Sequence, residues 1–179
     1  MVRRFHFAAL IIILFSILSC GNKKMADEPN QLTQKQVTEK LVEANIAAIT
    51  AENDQIKKLV DSSGWNVVET GTGLRYEIIE KGNGPKAVSG EIAVIEYEVE
   101  LITGEALYSS KKSGPKEFII GRGGVESGLE EGILFLRVGD KARLIIPSYL
   151  AHGLSGDQDK IPPKATLIYT IKLVKLKSN

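Results

Sequence analysis

The chain has 179 residues, 43% of them hydrophobic and 25% charged, with a formal net charge of +1. That length and balance leave room for one globular core plus appendages, and a charge so close to zero excludes the basic footprint that nucleic-acid binding requires. The single cysteine, Cys20, excludes a disulfide framework and thiol catalysis within the folded part.

Arg3 and Arg4 followed by the apolar run Phe7 to Leu18 have the form of an export signal, and the run is short for a membrane span. It ends at Ser19-Cys20-Gly21, a small residue before a cysteine, which resembles the bacterial lipobox in which the cysteine is acylated and becomes the new N-terminus. The other reading is an uncleaved signal anchor whose cysteine is incidental. Acyl chains on Cys20 would hold the protein on a membrane without spanning it, since each buried methylene contributes about 0.8 kcal/mol. The expected organisation is a lipoprotein signal over 1–19, a flexible polar tether over 20–31, an amphipathic helical segment over 32–65 and a folded domain over 66–179. The expected location is the bacterial cell envelope, lipid-anchored through Cys20 and facing the periplasm or the cell exterior.

Thr33 followed by Gln36 has the spacing of a capping box, which predicts a helix start. Val37, Leu41, Ala44, Ala48, Ile49, Ile56, Leu59 and Val60 then recur at three- and four-residue steps and form one apolar stripe, with a break expected near Asn53. Asp61-Ser62-Ser63-Gly64 ends the helix. Such a stripe must be covered by the chain's own domain through Trp65, by a second copy in a homodimer, or by a partner, and the sequence leaves these open.

After Trp65 the period changes to alternation. Leu74 to Ile79 leads into the Gly- and Pro-bearing turn Lys81 to Pro85. Glu91 to Leu101 alternates, with Ala93, Ile95, Tyr97, Val99 and Leu101 on one wholly apolar face. Lys141 to Ile146 and Thr166 to Leu176 predict two further strands, the second with Leu167, Tyr169, Ile171, Leu173 and Lys175 on one face. A short helix is expected over Glu126 to Phe135, with Leu129, Ile133 and Leu136 on its apolar side. Antiparallel strands around one short helix define an α+β domain in which the sheet wraps the helix, preceded by the long N-terminal helix.

Three ordered blocks carry a family resemblance: Gly128-Leu129-Glu130-Glu131-Gly132, then Val138-Gly139-Asp140 running into Lys141 to Pro147, then Ile161-Pro162-Pro163-Lys164-Ala165-Thr166-Leu167. With Thr72 to Tyr76, Glu96 to Leu101, Thr103 to Ser110 and Pro115 to Gly121, they resemble the FKBP-type peptidyl-prolyl cis-trans isomerases over about 72–177. More loosely, the long helix and Leu150 to Asp157 resemble FKBP-like lipoproteins associated with gliding motility in Bacteroidetes. The resemblance implies an isomerase that assists the folding of exported, proline-containing polypeptides. It implies no cofactor and no metal.

Prolyl isomerisation needs no nucleophile. The barrier of roughly 18–20 kcal/mol comes from amide resonance, so a groove that binds the twisted amide better than either planar form lowers it. An apolar, water-poor site disfavours the charge-separated resonance form, and flat, rigid aromatic walls suit a proline ring.

Carried over residue by residue, the resemblance implies Tyr97, Phe118, His152 and Tyr169 as catalytic and Leu107, Tyr108, Val125, Glu126, Leu129 and Ile161 as substrate-binding. Leu107 stands where the family has phenylalanine, Leu129 where it has tryptophan, Tyr108 where it has aspartate and His152 where it has tyrosine. Lys116 and Glu126 stand where apolar residues are usual, though the main-chain N–H of Glu126 is still implied as a donor. These replacements imply reduced or altered proline specificity and weak binding of macrolide inhibitors. His152 reads alternatively as a loop histidine at the Gly153 turn, and Asp157 and Asp159 read as a solvated loop at the pocket rim rather than half a calcium site. Gly121-Arg122-Gly123-Gly124 reads as a turn needing positive φ. The competing functional class is a non-catalytic peptide- or partner-binding module of an envelope complex.

Overall fold

The structure, a computed structural model, describes residues 33–178, and the expectations for the signal, Cys20 and the tether lie outside that range. The chain divides into two units, Met1–Val42 and Glu43–Asn179. Helix α1, Gln34–Ser63, begins in the first and ends in the second. Its start is the capping box expected: Gln36 N donates to Thr33 Oγ1 at 3.3 Å and Thr33 N donates to Gln36 Oε1 at 2.8 Å.

The helix runs unbroken through Asn53, a correction to the expected break. Asparagine costs a helix interior only about 0.7 kcal/mol, and the neighbouring turn is anchored strongly. Glu52 Oε1 accepts from the main-chain N–H of Ser148 and from Thr166 Oγ1, both at 2.6 Å, while Glu52 Oε2 accepts from Ser148 Oγ at 3.0 Å. One turn on, Ile56 is fully buried. From Glu43 onward the helix is therefore docked on its own domain. Trp65 contributes just beyond it, its ring centroid 3.9 Å from the Arg143 guanidinium. Other stripe residues are exposed, Leu41 at 60% and Ile49 at 42%.

The strands are β1 (Val68–Glu69), β2 (Arg75–Glu80), β3 (Ile92–Leu101), β4 (Ala106–Ser109), β5 (Lys116–Ile119), β6 (Lys141–Ile146) and β7 (Leu167–Lys177). They form one antiparallel sheet in the order β1-β2-β6-β7-β3-β4, with β5 also pairing β3. The long β3 pairs β7 along its length on one side, while on the other its first half pairs β5 and its second half β4. Helix α2, Ser110–Ser113, is one turn between β4 and β5 that periodicity did not reveal, capped by Ser109, whose side chain accepts from Lys111 N.

Helix α3, Ser127–Ile133, lies in the embrace of the sheet, with Leu129, Ile133 and the following Leu136 fully buried. Its glycines explain the Gly-Leu-Glu-Glu-Gly block. A Cβ on Gly132 would stand 2.6 Å from Leu144 Cδ1, and one on Gly128 would overlap Ile146, so the helix lies backbone-close to β6. Asp140 pins the turn before β6, accepting from Gly82 N at 2.6 Å and Arg137 N at 2.8 Å.

The inner face of β3 is as expected. Lys175 is not where alternation put it: a bulge shifts the register between Val94 and Ile95, so that Val94 pairs Lys175 while Ile95 pairs Leu173. Lys175 turns out to solvent, and Leu176 packs against the core in its place.

Candidate active site

Three adjacent strands set one aromatic row. Tyr108 on β4 is registered with Val99 on β3, which is registered with Tyr169 on β7. Period-2 geometry puts all three side chains on the concave face. Around them opens a hollow of about 230 Å³.

Of the residues singled out in the sequence, Tyr97, Tyr108, Glu126, His152, Ile161 and Tyr169 line this hollow, joined by Val99, Lys116 and Asp157. Phe118, Leu107 and Leu129 belong to the buried core cluster behind it, and Val125 packs against that cluster. Asp157, which the sequence reading set in a solvated loop at the pocket rim, lines the hollow. Its carboxylate closes the loop by accepting from Ile161 N at 2.7 Å and Asp159 N at 3.0 Å, and its other oxygen accepts from the Tyr108 hydroxyl.

Each tyrosine hydroxyl that lines the hollow is engaged. Tyr97 shares a hydrogen bond with Ser113 Oγ at 2.8 Å, Tyr108 donates to Asp157 and, at 3.2 Å, to Asp159, and Tyr169 donates to Glu126 Oε1 at 2.8 Å. His152 Nε2 lies 2.9 Å from that same oxygen. The rings are thus rigid walls, their poses fixed by partners on other elements. The Lys160 ammonium lies 5.1 Å from the Tyr108 ring centroid and that of Lys116 lies 5.8 Å from the Tyr97 centroid.

The charges follow from these contacts. Burial opposes ionisation of Glu126, but the dipole of its own main-chain N–H, the Tyr169 hydroxyl, Lys116 and His152 outweigh it and hold its carboxyl below the ordinary range. For Asp157, too, desolvation acts upward, but the Tyr108 hydroxyl and two main-chain N–H groups bring it down to about 2. Tyr169 is pushed well above the usual phenol range, first by burial and then by the Glu126 charge, and Tyr108 is pushed up chiefly by its bond to Asp157. Both phenols stay protonated and both carboxylates charged at neutral pH. Among the described residues no cluster of three or more His, Cys, Asp or Glu is placed to hold a metal ion.

An antiparallel sheet wrapped on a short helix, with an aromatic-walled hollow between sheet and rim loop, defines an α+β domain with a concave aromatic site on the sheet. Residues 84–174 match the family described as FKBP-type peptidyl-prolyl cis-trans isomerase. The chain belongs to the FKBP-type peptidyl-prolyl cis-trans isomerase family. It is 40% identical over 111 residues to a probable FKBP-type peptidyl-prolyl cis-trans isomerase, FkpA, of Neisseria meningitidis, covering 62% of this chain and 40% of that protein. It is 38% identical over 108 residues to the peptidyl-prolyl cis-trans isomerase FKBP1A of Xenopus laevis, covering 58% of this chain and 98% of that one. The crystal structure of FkpA from Escherichia coli superposes with a TM-score of 0.60 at 26% identity, covering 83% of this chain and 75% of that one. The match thus spans less than half of the Neisseria protein and nearly all of the Xenopus one.

Proposed function

We propose that this chain is a peptidyl-prolyl cis-trans isomerase that acts on proline-containing segments of exported polypeptides from a membrane-anchored position. The observation that carries the catalytic reading is the hollow itself: Val99 and Ile161 give it an apolar floor, and Tyr97, Tyr108 and Tyr169 give it rigid aromatic walls. A proline ring on that floor leaves water, and the amide before it enters surroundings that disfavour its charge-separated form, which lowers the cost of twisting. The main-chain N–H of Glu126 is the donor for a flanking carbonyl, and His152, whose Nε2 lies 2.9 Å from Glu126 Oε1, orients that carboxylate beside it. A donor that strengthens its bond as the amide twists contributes to rate rather than to binding alone.

Exchange NMR of an Xaa-Pro-Phe peptide with the full chain tests this, alongside Tyr169→Ala and His152→Ala. Acceleration by the wild type that is lost in both variants is the expected result. A folded chain that binds the peptide without acceleration would support a second reading, a non-catalytic binding module. The engaged hydroxyls of Tyr108 and Tyr169 favour that reading, because both already donate to carboxylates within the protein and not to a substrate carbonyl.

The anchoring part rests on Arg3, Arg4, the Phe7 to Leu18 run and Ser19-Cys20. Metabolic labelling with radioactive palmitate should mark the wild type and spare Cys20→Ala, which should also leave the membrane fraction. A homodimer through α1 belongs to the same proposal, with sedimentation equilibrium of the Leu41→Glu/Ile46→Glu variant as its test.

A further inference from the structure

A second hollow, of about 620 Å³, opens between the docked half of α1 and the loops that follow β3 and β6. Ligand sites commonly measure about 300–1,000 Å³. Ile49 lines it from α1, Leu101 and Ile102 from the end of β3, and Leu154, Pro162 and Pro163 from the rim loop. Its polar groups are already engaged: Glu52 holds Ser148 and Thr166, and the Tyr149 hydroxyl donates to Thr72 O at 3.0 Å. Lys164, the cation in its lining, is exposed to water. What is left for a ligand is apolar. Leu154 is 77% exposed, the most exposed large hydrophobic side chain among the described residues, and Ile49 is 42% exposed. Large apolar side chains gathered at one concavity mark an interaction site, whereas singly scattered ones do not.

The two hollows share their walls. On β3, Val99 lines the first and Leu101 the second, a step of about 7 Å along the strand. On the rim loop, Ile161 lines the first and the very next residue, Pro162, lines the second. We infer that the second hollow is a client subsite, taking aliphatic or aromatic side chains of an unfolded polypeptide about two to four residues from the proline seated on Val99 and Ile161, since an extended chain advances about 3.3–3.6 Å per residue. The occupant is a stretch of that same polypeptide because the walls run on from one hollow to the other. It is apolar because no unpaired carboxylate waits there for a cation. Burying one leucine side chain contributes enough for about a tenfold gain in affinity.

This inference rests on the peptide-binding part of the proposed function, so the test reads affinity and rate separately. The full chain is titrated with Leu-Leu-Ala-Ala-Pro-Phe against Ser-Ser-Ala-Ala-Pro-Phe, and with Ala-Ala-Pro-Phe-Ala-Leu-Leu against Ala-Ala-Pro-Phe-Ala-Ser-Ser. The expected result is that the leucine peptide binds about tenfold tighter in at least one pair. That ratio should fall towards unity in Ile49→Gln/Leu154→Gln, while the affinity for Ala-Ala-Pro-Phe stays as in the wild type. No leucine advantage in either pair, or one that persists in the double variant, overturns the inference. A ratio of unity joined to a dimer that the double variant converts to monomer in sedimentation equilibrium overturns it in favour of a second copy in the hollow. Exchange NMR on Ala-Ala-Pro-Phe reads the rate: no acceleration sinks the isomerase reading, and the affinity ratios still decide the inference. Should the double variant fail to fold, Leu154→Gln alone, at the most exposed position, takes its place.

Discussion

The hydroxyl of Tyr169, on the central strand β7, donates at 2.8 Å to Oε1 of Glu126, the residue that caps α3. The bond ties the sheet to the helix it wraps, across the site. Burial first, then the charge of Glu126, pushes the phenol above its usual range, so it remains a donor at neutral pH.

Removing half of that pair should cost more than removing both. Tyr169→Phe leaves the buried carboxylate with His152 as its one remaining side-chain partner, and the expected loss is about 1–3 kcal/mol. The double variant Tyr169→Phe/Glu126→Ile replaces both groups by apolar ones and should recover most of it. Urea unfolding measures both, and a double variant no more stable than the single would mean that the pair is not what holds the two elements.

Asp157 sets an acid dependence. Its carboxyl titrates at about 2 in the folded chain against roughly 3.9 unfolded, so its contribution is full above the unfolded value and is lost as pH falls through the folded one. The stability gap between wild type and Asp157→Asn should therefore be positive at pH 6 and narrow between about pH 4 and pH 2. Urea midpoints across that range check it. A gap that widens in acid would reverse the sign of the argument.

What was legible in the sequence was what short range decides. Strand β6 alternates from Lys141 to Ile146, the span observed, and the stripe Leu129, Ile133, Leu136 marked the buried side of α3. Lys175 was misplaced because a bulge is a property of two paired strands, not of one. Asn53 misled because its low propensity is local, whereas the Glu52 anchor is 96 residues from Ser148 in sequence. The polar network was invisible for the same reason: Tyr169 and Glu126 are 43 positions apart, Tyr108 and Asp157 49. The family resemblance brought six of the lining residues together but could not show that their hydroxyls face partners rather than the hollow.

Gly156 holds the rim loop that carries Asp157 and Ile161. Its φ is +65°, and a Cβ there would overlap the carbonyl oxygen of Ile161. That neighbour is backbone and cannot swing aside. Gly156→Ala should therefore open the loop and cost about 1–3 kcal/mol in stability. Peptide affinity should weaken with it, because Asp157 would lose its hold on Tyr108. A variant with unchanged melting and unchanged peptide binding would show that the loop relaxes freely and plays no part in shaping the site.

Glu52 is the clasp of α1. Its two oxygens satisfy the main-chain N–H and hydroxyl of Ser148 and the hydroxyl of Thr166, which is only 4% exposed. In Glu52→Ala these donors lose their acceptor, at about 1–3 kcal/mol for each one that water cannot reach. The sheet and α3 have their own core, so the expected outcome is local release rather than global unfolding. Hydrogen exchange should lose protection from Glu43 to Ser63 while Ile92 to Leu101 and Leu167 to Leu173 keep theirs. Glu52→Gln retains one acceptor oxygen and should fall between wild type and alanine. Uniform loss of protection across both regions would instead mean that the docked half of α1 folds as one unit with the sheet, making the helix a structural part of the domain and not an arm laid against it.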